Sequence, residues 1–418
     1  MGGELRNLLI LVVGGLAAMV IAGQSSHAQS VNPDFLTLIG KHVAGYQGWF
    51  SCPEDGSGIG WRHWFSGDRP GPHDVVVDMW PDPSELRSDE LCHTGLRLRS
   101  GEPAYLYSAE NSETVARHFQ WMRDYGIDGV ALERFASELK NPQTLSFVNR
   151  VLNNVRTGAE ATRRGFFVMY DLSGTDPDMV ERVSRDWNEL TQSMHLTESP
   201  SYMRHRGKPL VGLWGIGVID RPLSAQQASA LITFFRNSEV PATIVGGVPA
   251  YWRTLDKDSH GEYEWAAVYR SLDVISPWTV GRFRNAEQAD AFLKQQMALD
   301  MAEAKQHTVE YIPVIFPGMS WYNGQSGKVA LNEIPRECGR FYKRQATNAI
   351  GAGATMLYSA MFDEVNEGTA LYKVVTSKSA TPEDTRLVTL DDGDCNVPSD
   401  WYLHLAGEVT EKLRRNIR

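Results

Sequence analysis

The sequence has few positive charges for its length. Its 418 residues contain 41 Lys and Arg against 51 Asp and Glu, which gives a formal net charge of −10. Proteins that bind nucleic acids present a basic face, so this balance argues against a nucleic-acid partner. Charged residues make up 22% of the chain and hydrophobic residues 42%, a composition that can bury a sizeable core and is not that of a disordered chain.

The chain also lacks the motifs that hold common cofactors and metals. It has no Cys-x-x-Cys and no His pair with zinc spacing, so we expect neither redox nor structural zinc chemistry and predict no cofactor and no metal site. No Gly-x-Gly-x-x-Gly follows the first predicted strand, which argues against a dinucleotide-binding fold.

Cysteine is scarce, with four residues in the whole chain. Four cysteines allow three disulfide connectivities, which sequence alone does not distinguish. They fall into an N-terminal pair, Cys52 and Cys92, and a C-terminal pair, Cys338 and Cys395. We expect pairing within each half, because each disulfide would then close one long irregular segment.

Residues 1–28 have the pattern of a signal peptide. Arg6 precedes an apolar run of about 15 residues, and Ser26-His27-Ala28 places small residues at the two positions that a signal peptidase reads. Because roughly 20 residues are needed to span a bilayer, we expect cleavage in preference to an uncleaved membrane anchor. The mature protein, residues 29–418, is therefore predicted to be secreted or periplasmic, with no membrane association.

Short β-branched runs alternate with helical patterns along the mature chain. Strands are predicted over residues 42–50, 129–135, 166–172, 209–214, 242–248, 274–278, 309–316 and 355–362. Helices are predicted over residues 113–125, 143–162, 177–194, 225–237, 286–306, 335–350 and 401–414. Eight such units favour an α/β fold with one closed (β/α)8 TIM barrel over an open doubly wound sheet. A long insertion with a strand-like run at 75–79 follows the first strand.

Aromatic and acidic residues gather where these strands end, which is where a barrel carries its binding and catalytic groups. They are Tyr46, Trp49, Glu133, Tyr170, Asp171, Trp214 and Trp278. Trp321 and the polar Asn323 lie in the loop after the seventh strand, and His63 and Trp64 lie in the insertion. Sugars stack their C–H faces on rings and donate hydroxyl hydrogens to carboxylates. We therefore predict a polysaccharide or oligosaccharide site. Packing roles are expected for Trp121, Trp187, Trp265 and Trp401, and structural roles for His42 and His118.

Glu364 and Glu367 are the most specific indication of a catalytic site in the sequence. They lie three residues apart just after the eighth predicted strand. If the chain turns helically there, their Cβ atoms lie about 5–6 Å apart. Two carboxyl groups that close cannot both ionise freely, so one pKa rises and an acid is separated from a base, as glycosidic cleavage requires. The alternative is a pair of acidic residues at a helix N-terminus, stabilised by the helix dipole.

Three segments resemble glycoside hydrolase families 71 and 99. They are Gly45-Tyr46-Gln47-Gly48-Trp49-Phe50, Trp61-Arg62-His63-Trp64 and Phe362-Asp363-Glu364-Val365-Asn366-Glu367-Gly368-Thr369. Family 99 contains endo-α-mannosidases and endo-α-mannanases, and family 71 contains α-1,3-glucanases. The last family 99 motif is similar to Asn-Glu-Trp-His-Glu-Gly-Thr, so this sequence has Asp363, Val365 and Asn366 in place of Asn, Trp and His.

The resemblance implies roles for the two glutamates. Glu364 would be the base that deprotonates the substrate 2-hydroxyl, whose oxygen then displaces the leaving group through an epoxide-like intermediate. Glu367 would be the general acid and then the base for water, with net retention. In an inverting alternative, Asp171 or Glu133 would act with one of these glutamates across a wider gap.

Together these features predict a secreted glycoside hydrolase that cleaves an α-linked polysaccharide, similar to α-mannan or α-glucan, at internal bonds. A non-catalytic carbohydrate-binding barrel is the second interpretation, because it would keep the same aromatic groove. A third is a barrel deacetylase or phosphodiesterase, which normally needs a metal cluster.

Overall fold

The structure is a computed structural model that describes residues 34–174 and 176–417. The predicted signal peptide, residues 1–28, lies outside the described residues. None of the helices within the described ranges combines the length and the apolar character needed to cross a membrane.

The strands in the described ranges are β1 His42–Tyr46, β2 Cys92–Arg97, β3 Pro103–Leu106, β4 Gly129–Phe135, β5 Gly165–Asp171, β6 Arg204–His205, β7 Lys208–Trp214, β8 Thr243–Pro249, β9 Val274–Trp278, β10 Glu310–Tyr311, β11 Val314–Ile315 and β12 Leu357–Ser359. The α-helices are α1 Ser112–Tyr125, α2 Pro142–Thr162, α3 Met179–Asn188, α4 Ala225–Asn237, α5 Glu264–Arg270, α6 Ala286–Phe292, α7 Ala298–Gln306, α8 Arg340–Gly351 and α9 Trp401–Ile417.

The main sheet is parallel and curls into a barrel in the order β10-β9-β8-β7-β5-β4-β1-β12-β11, with β6 paired antiparallel to β7. Its two ends, β10 and β11, are separated only by Ile312 and Pro313. The Ile312 N–H donates to the Ile275 carbonyl at 3.0 Å, and the Pro313 carbonyl accepts from the Tyr358 N–H at 3.0 Å. Pro313 has no N–H and interrupts the ladder, so one broken strand closes the predicted (β/α)8 barrel.

Local sequence explains where the helices around the barrel begin. Asn111 caps α1 by accepting from the Glu113 N–H at 3.0 Å. Asn141 caps α2, which has Pro142 in its first turn, a position where the missing N–H costs nothing. Ser224 and Gln227 form a capping box at the start of α4. These caps satisfy N–H groups that the helices leave free.

The predicted elements match the observed ones closely, with five differences. The predicted strand at 309–316 is split at Pro313, and π-helical turns follow α3 and separate α6 from α7. Residues 75–79 do not form the strand-like run that we expected, because only isolated bridges at Val75 and Met79 occur there. The hairpin of β2 and β3 and the seven-residue helix α5 were not predicted.

The long insertion between β1 and α1 is tied to the C-terminal part of the chain. The carbonyl of Asp78 accepts from the Val388 N–H at 2.7 Å. The buried Asp78 carboxylate accepts from the Ser320 hydroxyl at 2.5 Å and from the N–H groups of Tyr322 and Asn323 at 2.6 and 2.8 Å. The insertion therefore forms one wall over the carboxyl ends of the barrel strands.

Both disulfides pair cysteines within the same half of the chain, as predicted. Cys52 joins Cys92 within the insertion, and Cys338 joins Cys395 ahead of α9. The two bridges connect positions 40 and 57 residues apart. They fix segments that have little regular secondary structure of their own.

Replacing both Cys338 and Cys395 by Ala should destabilise the fold. Closing a loop of this length lowers the entropy of the unfolded chain, which is worth about 4 kcal/mol in the chain-entropy model. Guanidinium unfolding of the purified variant should show a lower midpoint than the parent with both disulfides formed. Equal midpoints would contradict a stabilising role for this bridge.

Candidate active site

The barrel strands alternate between residues that face the barrel interior and residues that face the helices. Tyr358 on β12 donates to Glu133 Oε1 on β4 at 3.4 Å across β1, so both side chains point inward. Trp214 on β7 meets Trp278 on β9 edge to face, with ring centroids 5.3 Å apart, across β8. Asp171 is the register partner of Trp214 and shares its face. The interior carboxyl end is therefore acidic and aromatic.

Glu364 and Glu367 lie in the segment that follows β12. Residues 365–368 form a turn, so neither glutamate sits at a helix N-terminus. Gln47 Nε2 donates to Glu364 Oε1 at 3.2 Å, and the Thr369 hydroxyl donates to Oε2 at 3.4 Å. The Ser320 N–H donates to the Glu367 carbonyl at 2.8 Å. Residues near the start and near the end of the barrel sequence thus form hydrogen bonds with the glutamate pair.

Asp363 locks this segment to the start of the insertion. Its buried carboxylate accepts from the N–H of Gln47 at 2.7 Å and from that of Gly48 at 2.9 Å. Asn366 Nδ2 donates to the His63 carbonyl at 2.8 Å, and Val365 is fully buried. The three positions that differ from the family 99 motif therefore have structural contacts in this chain.

Both glutamates have raised pKa values. Burial raises the pKa of Glu364 well above its ordinary value, and the negative charges of Glu367 and Asp363 raise it further. Burial also raises the pKa of Glu367 to about 7, with Arg221 opposing the rise and Asp171 adding to it. Arg221 favours the ionised form of Glu367 and so opposes the rise in its pKa, whereas the neighbouring charges of Glu364 all raise its pKa.

Glu133 and Asp171 complete the acidic cluster. Burial raises the pKa of Glu133 well above its ordinary value, and the charge of Asp171 adds to this. Burial also raises the pKa of Asp171, although hydrogen bonds from Ser173 favour the charged form. Glu133 Oε2 is buried and has no hydrogen-bond partner among the described residues. Such an atom is available for a hydrogen bond with a ligand hydroxyl.

Two groups of aromatic side chains flank the carboxyl groups. Trp49 stacks on His63 with centroids 3.9 Å apart and packs on Phe135 at 5.5 Å. Burial lowers the pKa of His63 to about 3, so this ring is neutral. On the other side, Trp214 lies beneath Arg221, whose guanidinium carbon is 5.4 Å from the ring centroid. These faces suit the C–H surfaces of a sugar.

Several expected site residues instead take part in packing. Tyr46 is fully buried and bonds His118 Nδ1 at 2.8 Å, while Trp64 stacks on Phe50 and donates to the Tyr107 carbonyl. Tyr170 faces the helices and donates to Asp186 at 2.7 Å. The structure does not bring these three side chains to the acidic cluster. Tyr46 and Tyr170 lie on the outer faces of their strands, which are also buried under helices, and Trp64 packs inside the insertion.

Trp321 and Asn323 lie in the loop that follows β11. Trp321 is 36% exposed. Asn323 Nδ2 donates to the carbonyls of Val77 and Arg386 at 2.8 and 2.7 Å, so this side chain holds the insertion in place. The expected packing roles of Trp121, Trp187 and Trp265 are confirmed by their burial, as are the structural roles of His42 and His118. Trp401 is half-buried.

Other residues at the site were not singled out from the sequence. They are Gln47, Phe135, Arg221 and Tyr358. Phe135 could have been found from strand alternation, because it lies two residues after Glu133 on the same face. Gln47 lies inside a motif that the sequence does show. Arg221 lies in a loop without a recognisable pattern, and only the folded chain places it near Glu367.

The described residues contain one group with the spacing of a metal site, namely Cys52, Glu54 and Cys92. Its two sulfur atoms are joined in a disulfide. This group therefore does not supply the cluster that a metal-dependent barrel hydrolase would use.

The comparisons with known proteins agree with this fold. No family model matches the chain, and no curated protein matches it. Two structures of the family 99 endo-α-mannosidase from Bacteroides thetaiotaomicron superpose with a TM-score of 0.63 each, at 16% and 17% identity, over 91% of this chain and 99% of theirs. A glycoside hydrolase-like protein has a TM-score of 0.53 at 14% identity, over 83% of this chain and 98% of its own. The fold that the resemblance implies is confirmed.

Proposed function

We propose that this protein is a glycoside hydrolase that cleaves an α-linked polysaccharide, similar to α-mannan or α-glucan, at internal bonds. The observation that carries the proposal is the pair of buried Glu364 and half-buried Glu367 after the last barrel strand, with raised pKa values and aromatic faces on two sides. A barrel fold shared with endo-α-mannosidases supports it. The two disulfides support a secreted or periplasmic location, because such bonds persist in oxidising compartments.

In the mechanism that the resemblance implies, Glu364 takes the proton of the substrate 2-hydroxyl. The 2-oxygen attacks the anomeric carbon while the glycosidic bond breaks, and Glu367 gives its proton to the departing oxygen. Glu367 then takes a proton from water, which opens the three-membered ring, and Glu364 returns its proton to the 2-oxygen. Two displacements at the same carbon give net retention.

This cycle needs a particular proton position at its start. Glu364 must be ionised and Glu367 protonated, whereas the charges around the ligand-free pair favour the reverse. Substrate binding therefore has to favour the ionised form of Glu364 and the protonated form of Glu367. A sugar 2-hydroxyl that donates to Glu364 stabilises its ionised form, and a sugar that covers Glu367 removes water from that carboxylate and favours its protonated form.

The decisive experiment is hydrolysis of a panel of α-mannans, α-glucans and other glycans by the purified mature protein. Proton NMR of the first product should show the anomeric configuration of the substrate. Products of several sugar units at early times would support internal cleavage, whereas monosaccharide alone would contradict it. Binding of a glycan without any hydrolysis would instead support the carbohydrate-binding barrel.

Trp214→Ala should weaken substrate binding. Stacking on an aromatic ring is worth about 1.4 kcal/mol, so we expect KM to rise about tenfold with a smaller change in kcat. Trp214→Phe keeps an aromatic face and should remain close to the parent. Michaelis constants measured on the preferred glycan test this, and an unchanged KM in the Ala variant would remove Trp214 from the binding surface.

A further inference from the structure

Arg336 is a buried cation next to the backbone that follows Glu367. It is 7% exposed, and among the described residues no carboxylate lies within ion-pair distance of its guanidinium. The guanidinium carbon lies 4.4 Å from the centroid of the Tyr402 ring. A buried charge without a carboxylate partner is costly, so its other contacts must account for its position.

Those contacts are with the backbone that follows Glu367. Arg336 Nη2 donates to the Gly368 carbonyl at 2.9 Å and to the Ala370 carbonyl at 2.6 Å. The Ser320 N–H donates to the carbonyl of Glu367 itself. The carbonyl groups of residues 367, 368 and 370 thus accept hydrogen bonds from residues outside their own turn.

The backbone around Arg336 and around the turn is closely packed. Gly368 has φ = +63°, and a Cβ on it would lie 2.9 Å from the Ser320 nitrogen. A Cβ on Gly318 would lie 2.7 Å from Arg336 Cγ. Met319 and Ile334 exchange two backbone hydrogen bonds of 2.9 Å. The stem of the Arg336 side chain therefore packs closely on Gly318, and the turn packs closely on Ser320.

We propose that Arg336 is a positioning residue that fixes the Glu367 turn by holding the carbonyl groups of Gly368 and Ala370. The inference rests on the proposed function, because it assigns Arg336 to the orientation of the same acid. The two N–H groups of Nη2 lie in the plane of the guanidinium and can serve both carbonyl groups in one fixed geometry, which a lysine ammonium does with less directional control. Loss of these contacts lets the Glu367 carboxyl leave the position that proton transfer requires.

The test is a pair of variants, Arg336→Met and Arg336→Lys. A displacement of about 1 Å can cost roughly 10²-fold in rate, so we expect kcat per folded molecule to fall by about that factor in the Met variant, with KM little changed. The Lys variant keeps the charge and should recover part of kcat. Arg340→Met is the matched control, because that side chain is 80% exposed on the same segment. It should keep the parent kcat.

A second measurement separates this proposal from the proposed function. Carbon-13 NMR of labelled glutamate carboxyls gives the titration midpoint of Glu367, with its resonance assigned by its loss in Glu367→Gln. In the Lys variant, or in the Met variant if it folds, a midpoint shifted from that of the parent supports positioning even where no glycan is cleaved. If both kcat and the midpoint stay at parental values in folded variants, Arg336 does not position Glu367. If the parent hydrolyses no glycan while the midpoint shifts, only the proposed function fails.

Discussion

Replacing Glu364 or Glu367 by Gln should each lower kcat by roughly 10²- to 10⁴-fold, the range that a positioned acid or base contributes. The amide keeps the shape of the side chain, including the contacts of Glu364 with Gln47 and Thr369, but cannot exchange a proton. Initial rates per mole of folded protein on the preferred glycan measure the effect. Glu411→Gln on the exposed face of α9 is the isosteric control and should retain the parental rate.

The two variants should differ on substrates with good leaving groups. The phenolate leaving group of an aryl glycoside departs without protonation by an acid. On such a substrate, Glu367→Gln should therefore recover much of the rate of the first step, whereas Glu364→Gln should not. Parental rates in both variants on every substrate would refute the assignment of the pair. Equal recovery in both variants would instead contradict the separate roles that the resemblance implies.

Arg221→Gln should move the pH optimum of hydrolysis upward by about one unit. The positive charge of Arg221 favours the ionised form of Glu367, whose pKa of about 7 would rise without it. In the proposed mechanism the pair acts in its singly protonated state, and both of its macroscopic pKa values should increase when this cation is removed. The acidic and basic limbs of the kcat/KM profile should therefore shift together.

Arg221→Lys is the control for this experiment, because it keeps the charge and should leave the optimum near that of the parent. The Gln variant also loses the contact with Trp214, so its KM is expected to rise as well. A profile that keeps its position while KM rises would show that Arg221 binds substrate without setting the ionisation of Glu367.

Sequence periodicity was sufficient to predict the barrel, but it did not predict the break in the seventh barrel strand, which depends on Pro313. The β-branched runs and the helical patterns between them locate all eight barrel strands. The break at Pro313 follows from its missing N–H, although the period of the apolar residues continues through it. Helix α5 has seven residues, too few for a helical period to be distinguished from a loop.

The candidate site shows a different limit. Glu364 and Glu367 were identifiable because their spacing is local. Alternation indicates that only one of Tyr170 and Asp171 faces the interior, but both faces of the strand are buried, so polarity alone did not select the inward residue.

The insertion after β1 and the segment after β12 stabilise each other across most of the chain. Gln47 and Asp363 bond although 316 positions separate them, and Asp78 bonds Val388. Synthesis delivers the insertion long before its partners, so these contacts of high sequence separation form late in folding. The glutamate pair is consequently assembled only when nearly the whole polypeptide has emerged. A shortened chain that ends before Val388 would keep the insertion and the contacts of Asp78 with Ser320, Tyr322 and Asn323, but it would lose the backbone hydrogen bond that joins Asp78 to the C-terminal segment.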